Sequence, residues 1–509
     1  MTNAKKILAS LCATATVITV GTAGLAASAA NTKTAPAAAS AAGYDGKLPK
    51  YIFMFIGDGM SFPQTQITAD YYNALKDTND NGILEAKGVL NFMNFPAVGC
   101  ANTYDSSSFC PDSASTATSL STGHKTYSGT INMDETFTTE YETITEKLKN
   151  QLGYKIGVVS TVNLNHATPA AYYAHQASRN SYYEIGVEMV ESGFDYFAGG
   201  ALKKPTGNNK DQTSVYDLAE QAGYNVITTY EDAEALKPED GKSILIAERL
   251  ADSDAMSYSN DCIKGEWTLS DYVAKGIEML DNETGFFMMV EGGKIDWACH
   301  ANDAKSTISD TAALSNSINE ALKFYNEHPD ETLIVVTGDH ETGGLTIGYA
   351  GTDYNTYLTN LKNQKLSYAK FDSDYVSKYK ANKTSFNVVL KDVKKLFGLM
   401  TADDKDASEK PNLVLTEYEY NKLKAAYDKT MSGEKVSTQE EYVLYGSYEP
   451  LTVTITHILN NKSGINFASY AHTGLPVVVY AKGAGSALFN GYYDNTKIYD
   501  KLAALTDVN

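Results

Sequence analysis

The sequence predicts an α/β fold: a doubly wound, largely parallel central sheet flanked by helices, with an inserted cap or lid region. Three observations carry this. Five apolar runs, "YIFMFIGDGM", "YKIGVVST", "GFFMMVEGGKID", "TLIVVTGDH" and "LPVVVYAKG", are continuous rather than alternating, as strands covered on both faces must be. Segments with helical spacing lie between them, such as "AKSTISDTAALSNSINEALKFYNEH". Several of the runs end in an acid, and open α/β sheets bind ligands at the carboxyl ends of their strands.

The chain has 509 residues, enough to bury a large core. Residues 1–29 carry Lys5 and Lys6, an apolar stretch and then Ala27-Ser28-Ala29, the layout of a cleavable export signal. Residues 30–49 form a small-residue linker, and 50–509 the α/β domain. No later segment is apolar for long enough to span a bilayer, so no membrane anchor is expected after cleavage. The expected location is therefore secreted, extracellular or periplasmic. Residues of about 350–450 are rich in Lys, Tyr, Asp and Asn, with helix-like stretches such as "LTEYEYNKLKAAYDKTM". They read as an insertion on the sheet domain, more as a solvated excursion than as a lid.

A net charge of −20 argues against nucleic acid or an anionic membrane as partner. It also means that an anionic substrate would need a strong local positive centre. Cys12 leaves with the signal, and Cys100, Cys110, Cys262 and Cys299 remain. In an exported protein they suggest disulfides, with Cys100–Cys110 and Cys262–Cys299 one of three possible connectivities.

Asp58 follows the first run, Glu291 the third and Asp339-His340 the fourth, and Asp296 lies five residues beyond Glu291. Several carboxylates meeting in one crevice would repel each other and resist desolvation unless cations joined them. Asp296 and His300 are four apart, so a helix there puts both on one face. Carboxylate and imidazole together suit zinc. His472 in "YAHTG" precedes the last run, adding an imidazole to the set. Only two arginines occur, Arg179 and Arg249. Arg179 follows an apolar strand, where a flat two-pronged donor suits phosphate.

"FIGDGM", "PDSASTATSLSTGHKTYSG", "HATPAAYYAHQASR", "VEGGKID…H", "TGDHETGG" and "HTG" stand in an order that resembles the alkaline phosphatase family, over most of the chain outside 350–450. The resemblance implies two zinc ions and a third metal, magnesium. Asp296, His300 and His472 would hold one zinc; Asp58, Asp339 and His340 the second, which also meets Ser113. Asp58, Thr168 and Glu291 would hold the magnesium. Ser113 would be the nucleophile, made reactive by zinc at the start of a helix, and Arg179 would grip the phosphate oxygens. Asp112 would cap that helix and orient Arg179. His166 and Trp297 stand at positions that vary within the family and put the third metal in question; both would line the substrate pocket, with His166 touching that metal directly or through water, or hydrogen-bonding beside it. Ser115, Thr116, Thr118 and Ser119 read as ordinary helix and packing residues. His124, His175, His328 and His457 are given no role.

The implied function is hydrolysis of phosphate monoesters to an alcohol and inorganic phosphate through a phosphoserine, by a secreted enzyme; the resemblance also implies a homodimer. Alternatives are a phosphodiesterase or phosphonate hydrolase of the same architecture, or a non-catalytic phosphate or metal scavenger. Glu291, Thr168 and Arg179 weigh against the diesterase, because a monoester's extra charged oxygen needs that extra positive field.

Overall fold

A computed structural model describes residues 46–77, 84–85 and 87–509; the expected signal and nearly all of the linker lie outside the described residues. The strands are β1 (Tyr51–Gly57), β2 (Ala97–Asn102), β3 (Lys155–Asn163), β4 (Tyr196–Gly200), β5 (Asn225–Ile227), β6 (Ser243–Ile246), β7 (Phe286–Glu291) and β8 (Thr332–Gly338). The short β9 (Glu341–Thr342), β10 (Thr346–Ile347), β11 (Ile465–Asn466) and β12 (His472–Thr473) precede β13 (Val477–Gly483) and β14 (Gly491–Asp494). Ten of them form one sheet in the order β14-β2-β13-β8-β1-β7-β3-β4-β6-β5.

Every residue of β1, β7 and β8 is buried, which explains their unbroken apolar runs. Each large apolar side chain so covered contributes about 1.5–3 kcal/mol relative to exposure. All neighbouring pairs in the sheet are parallel except those of β13, which runs antiparallel to both β8 and β2. The apolar run of β13 gives no hint of this reversal. It has a functional effect: the beginning of β13, rather than its end, lies at the edge where the parallel strands finish. Ile56 of β1 pairs with Glu291 of β7 and with Thr337 of β8, so the three central strands end level. Asp58, Glu291 and Asp339 leave the sheet together.

Two apolar clusters cover the two faces. One includes Phe53, Phe55, Phe286, Ile308 and Phe324, and the other Ile52, Met54, Ala117, Ile156 and Leu502. The segment of about 350–450 is mostly helical, as its helix-like stretches suggest, but it is not a solvated excursion: its Leu361, Phe371, Val389, Val393, Phe397 and Leu423 are buried in the first cluster. Its helices are amphipathic, so the Lys- and Asp-rich composition describes only their outer faces. Gln364 Nε2 and the Tyr368 amide both donate to Asp303, tying this segment to the start of the helix Ala304–Glu327.

The expected disulfides are not formed: the four described cysteines are free. Cys299 is buried on the helix Lys294–His300, with Thr307 Oγ1 and Gln64 Nε2 at its sulfur. Cys262 Sγ donates to the Tyr258 carbonyl, and Cys110 is exposed.

Candidate active site

The run "DSASTATSLST" folds as the helix Ser113–Thr122, with Asp112 as its N-cap accepting from the Ser115 amide. All ten residues are buried. That is tolerable because the hydroxyls return to backbone carbonyls one turn back: Thr116 to Asp112, Ser119 to Ser115 and Thr122 to Thr118. Gly123, at φ 76°, ends the helix in the left-handed region. Ser113 therefore stands at the positive end of a helix dipole.

Three imidazoles converge beside it, and each has one ring nitrogen fixed by the fold. His300 Nδ1 faces the Tyr470 carbonyl at 2.6 Å, and His472 Nδ1 faces the Pro111 carbonyl at 2.5 Å. Thr342 Oγ1 donates to Asp296 and so accepts from His340 Nδ1 at 3.2 Å. A carbonyl only accepts, so the proton of each neutral ring lies on Nδ1 and the Nε2 lone pair is left free. These Nε2 atoms turn inward: His300 to His472 at 3.1 Å, and His340 to Ser113 Oγ at 3.1 Å. His300 Nε2 is 3.3 Å from Asp296, and His472 Nε2 is 3.5 Å from it. His340 Nε2 is 3.3 Å from both Asp58 and Asp339.

Lone pairs facing lone pairs and carboxylates define a place for cations. Asp58, Asp339 and His340 can share one ion, as can Asp296, His340 and His472. Burial, then the neighbouring Asp339, Asp296 and Glu291, push Asp58 well above the ordinary carboxylate range. Burial likewise raises Asp339 to about 7 and Glu291 to about 8. Burial works against Asp296 too, but His300, His472 and His340 hold it well below its usual value. Burial opposes charge on His300, yet Asp296 lifts it to about 9, so a proton takes the role that a cation would fill.

On the other side, Asp58, His166 and Glu291 form a third possible ligand group. Asp58 Oδ1 and Glu291 Oε1 are buried without partners, as atoms awaiting an ion would be, and His166 Nδ1 is buried with no acceptor. Thr168 Oγ1 lies 3.4 Å from Asp58 Oδ2. Arg179 donates from Nη1 to Asp112 at 2.8 Å, and its Nη2 stands 3.2 Å from His166 Nε2. A guanidinium only donates, so His166 Nε2 accepts and its proton is on Nδ1. Burial, then Arg179, lower the His166 pKa to about 3, keeping the ring neutral. The edge of Trp297 meets His166, with ring centres 6.0 Å apart.

Gly59, at φ 71°, turns the chain beneath this cluster. A Cβ there would lie 2.9 Å from Thr342 Oγ1 and 3.0 Å from the Asp296 Cα. Its amide donates to Asp339 at 3.1 Å.

A family model described as "Alkaline phosphatase" matches residues 49–508. The chain belongs to the alkaline phosphatase family. It is 30% identical over 456 residues to Alkaline phosphatase 4 of Bacillus subtilis (strain 168), covering 87% of this chain and 86% of that protein. A cold-active alkaline phosphatase from the psychrophile Shewanella sp. superposes with a TM-score of 0.71 at 27% identity, over 90% of this chain and 99% of that one. The Thermus thermophilus alkaline phosphatase shares the fold at a TM-score of 0.73 and 22% identity, over 92% and 93% of the two chains. As a member of this family the chain is a phosphoric monoester hydrolase with a metal-binding site.

Several members of the alkaline phosphatase site escaped the sequence reading. Thr116, expected only to pack, also stands with its hydroxyl 3.2 Å from Asp339 Oδ2 and shares its one proton between that oxygen and the Asp112 carbonyl. Ser115, expected in the same way, donates to Asp105 at 2.8 Å and braces the Asp112 cap. Thr342 joins Asp296 to His340; its position two residues after His340 was the available signal. Gln64, given no role by the sequence, accepts from the Ser61 amide as a helix cap, and its side chain also donates to the buried Glu341 at 2.7 Å. Ser160 donates to Glu291 from the adjacent strand.

Proposed function

We propose that the protein is an exported alkaline phosphatase that hydrolyses phosphate monoesters through a phosphoserine at Ser113, with two zinc ions and a magnesium. The observation that carries this reading is the meeting of the three inward-turned Nε2 atoms of His300, His340 and His472 with Asp58, Asp296 and Asp339 beside the Ser113 hydroxyl.

Asp296, His300 and His472 would hold one zinc, and Asp58, Asp339 and His340 the other. Asp58, Glu291 and Thr168 would hold the magnesium. When bound, these ions supply the positive charge that lowers the cost of the serine alkoxide and of the leaving oxygen. The chain does the rest. The Ser113 hydroxyl gives its proton to solvent as its Oγ attacks phosphorus in line; the Oγ–P bond forms and the bond to the leaving oxygen breaks. The alcohol leaves with a proton from solvent. Water then attacks phosphorus and loses a proton to solvent, the Oγ–P bond breaks, Ser113 Oγ takes a proton back from solvent, and inorganic phosphate departs. Arg179, held by Asp112, presents its fork to the non-bridging oxygens, and the amides of Ser113 and Ala114 at the helix start face the same anion.

His166 suits a neighbour of the third site better than a direct ligand, because its Nδ1 carries the proton while Arg179 occupies Nε2. A structure of the Antarctic TAB5 relative, a variant with one histidine exchanged for aspartate, is described with magnesium in its M3 site. This supports a third site here. Export rests on the arrangement of residues 1–29. No described helix is long and apolar enough to cross a membrane.

The test compares Ser113→Ala with the unsubstituted enzyme on an aryl phosphate monoester and on the matching diester. Monoester turnover is expected to fall at least about 10³-fold with metal content unchanged. Faster cleavage of the diester by the unsubstituted enzyme would overturn the choice of substrate. Unimpaired turnover by the Ala variant would overturn the nucleophile.

A further inference from the structure

Behind Trp297 lies a buried cation that the reaction as derived does not use. Lys294 begins the helix that carries Asp296, Trp297 and His300, and its side chain is fully buried. A buried ammonium costs several kcal/mol unless well paired. Here its Nζ donates to Asp252 Oδ1 at 2.8 Å, and it lies 3.8 Å from the centre of the Tyr258 ring and 4.6 Å from that of Trp297. Both distances suit a cation over an aromatic face.

The partners are themselves anchored. Asp252 begins a tight turn, Asp252–Asp254, in which Ser253 sits at φ 56°. The Ser253 carbonyl accepts from Asn163 Nδ2 at 2.6 Å, and the Asp254 carbonyl from the Ala201 amide at 2.9 Å. The Lys294 amide donates to Thr161 Oγ1 at 3.1 Å, so both ends of the Lys294–Asp252 pair are fixed to the end of β3. The Tyr258 hydroxyl donates to Tyr368 at 3.0 Å, and Tyr368 belongs to the helical segment outside the sheet. Trp297 is thereby gripped through one face by a rigid cation, while its edge meets His166, the residue that receives Arg179.

We propose that Lys294, held by Asp252, is a positioning residue that fixes Trp297 as a wall of the phosphate pocket. This rests on the phosphatase reading of that pocket. A methionine or leucine would fill the same space more cheaply, but neither would fix the indole face in one orientation.

The chain has two tryptophans, Trp267 and Trp297, so a Trp267→Phe background leaves Trp297 as sole indole reporter. In that background the metal-loaded full chain is compared with its Lys294→Met and Lys294→Arg forms. Lys294→Met is expected to shift Trp297 emission and increase its quenching by acrylamide. It should raise KM for an aryl phosphate and Ki for inorganic phosphate together, by roughly three- to tenfold as fits the loss of one desolvated cation–π contact. The kcat and metal content should stay close to the parent's. Lys294→Arg should restore emission and KM, because a guanidinium also stacks on an indole. Unchanged quenching in Lys294→Met overturns the proposal, and so does changed quenching with unchanged KM and Ki, which would make Lys294 a packing residue only. If Lys294→Met does not fold, Asp252→Asn releases the same cation from a side chain that is one-third exposed and is read by the same outcomes. Emission needs no turnover, so failure of the phosphatase reading would show separately, as absent hydrolysis by the parent enzyme.

Discussion

Asp112 does two jobs that substitution can separate. One carboxylate oxygen caps the helix through the Ser115 amide, and the other holds Arg179. Asp112→Ala removes both. Loss of the cap costs about 1 kcal/mol. Arg179 keeps about a fifth of its side chain in solvent, so leaving it unpaired costs less than the roughly 3–5 kcal/mol of a fully buried charge. A total near 2 kcal/mol is expected. Asp112→Asn keeps an equally good capping oxygen but no charge, and should lose under about 1 kcal/mol. In both variants Arg179 loses its anchor. A charge-assisted hydrogen bond is worth about 1.5–3 kcal/mol, so partial loss of the Arg179 grip should raise Ki for phosphate and KM roughly tenfold. Scanning calorimetry and phosphate inhibition of aryl phosphate hydrolysis read the two jobs independently. If Asn destabilises as much as Ala, the cap contributes nothing; if Ki is unchanged in both variants, Asp112 does not orient Arg179. Burial raises the Asp112 pKa, but Arg179 and the Gly129 and Ser115 amides together outweigh it, so the net shift is downward. Its stabilising contribution is thus present above the ordinary carboxylate range and is lost as pH falls through the depressed value.

Chelated protein should show the opposite pH dependence at the metal ligands. Asp339 at about 7 and Glu291 at about 8 bind protons more tightly folded than unfolded, so stability is highest below the ordinary carboxylate range and falls as pH rises towards 8. Metal-loaded protein should lack that fall; denaturation midpoints across pH 5 to 9 that run parallel with and without chelator would contradict the cation site. His166→Asp replaces a proton-bearing Nδ1 by an acceptor beside Asp58 and Glu291. It should increase magnesium retained after dialysis, measured by elemental analysis, and no gain would move the third metal away from His166.

The sheet's centre was readable because β1, β7 and β8 are buried on both faces and each is followed by a ligand at the same end. The reversal of β13 was not, since an antiparallel strand inside a sheet has the same apolar pattern as a parallel one. β2, with alternating burial, and β5, only partly buried, lack the continuous run that marks a central strand. The residues with charge or imidazole stood out by type. The hydroxyls and amides that orient them, Thr116, Thr342, Ser160 and Gln64, did not, because their partners lie far away along the chain. Lys294 shows the same limit: a lysine inside an apolar helix start gives no sign of the aromatic faces that meet it.

His472 stands just ahead of the one reversed strand, almost at the carboxyl end, whereas Asp58 closes the first strand. The cluster thus draws together distant parts of the domain, and a growing polypeptide remains chemically silent until β13 has been threaded between β8 and β2. Joining residues so far apart closes a long loop at a cost in chain entropy, and premature termination before His472 would leave a chain with Ser113 intact but without one of the imidazoles of its cluster.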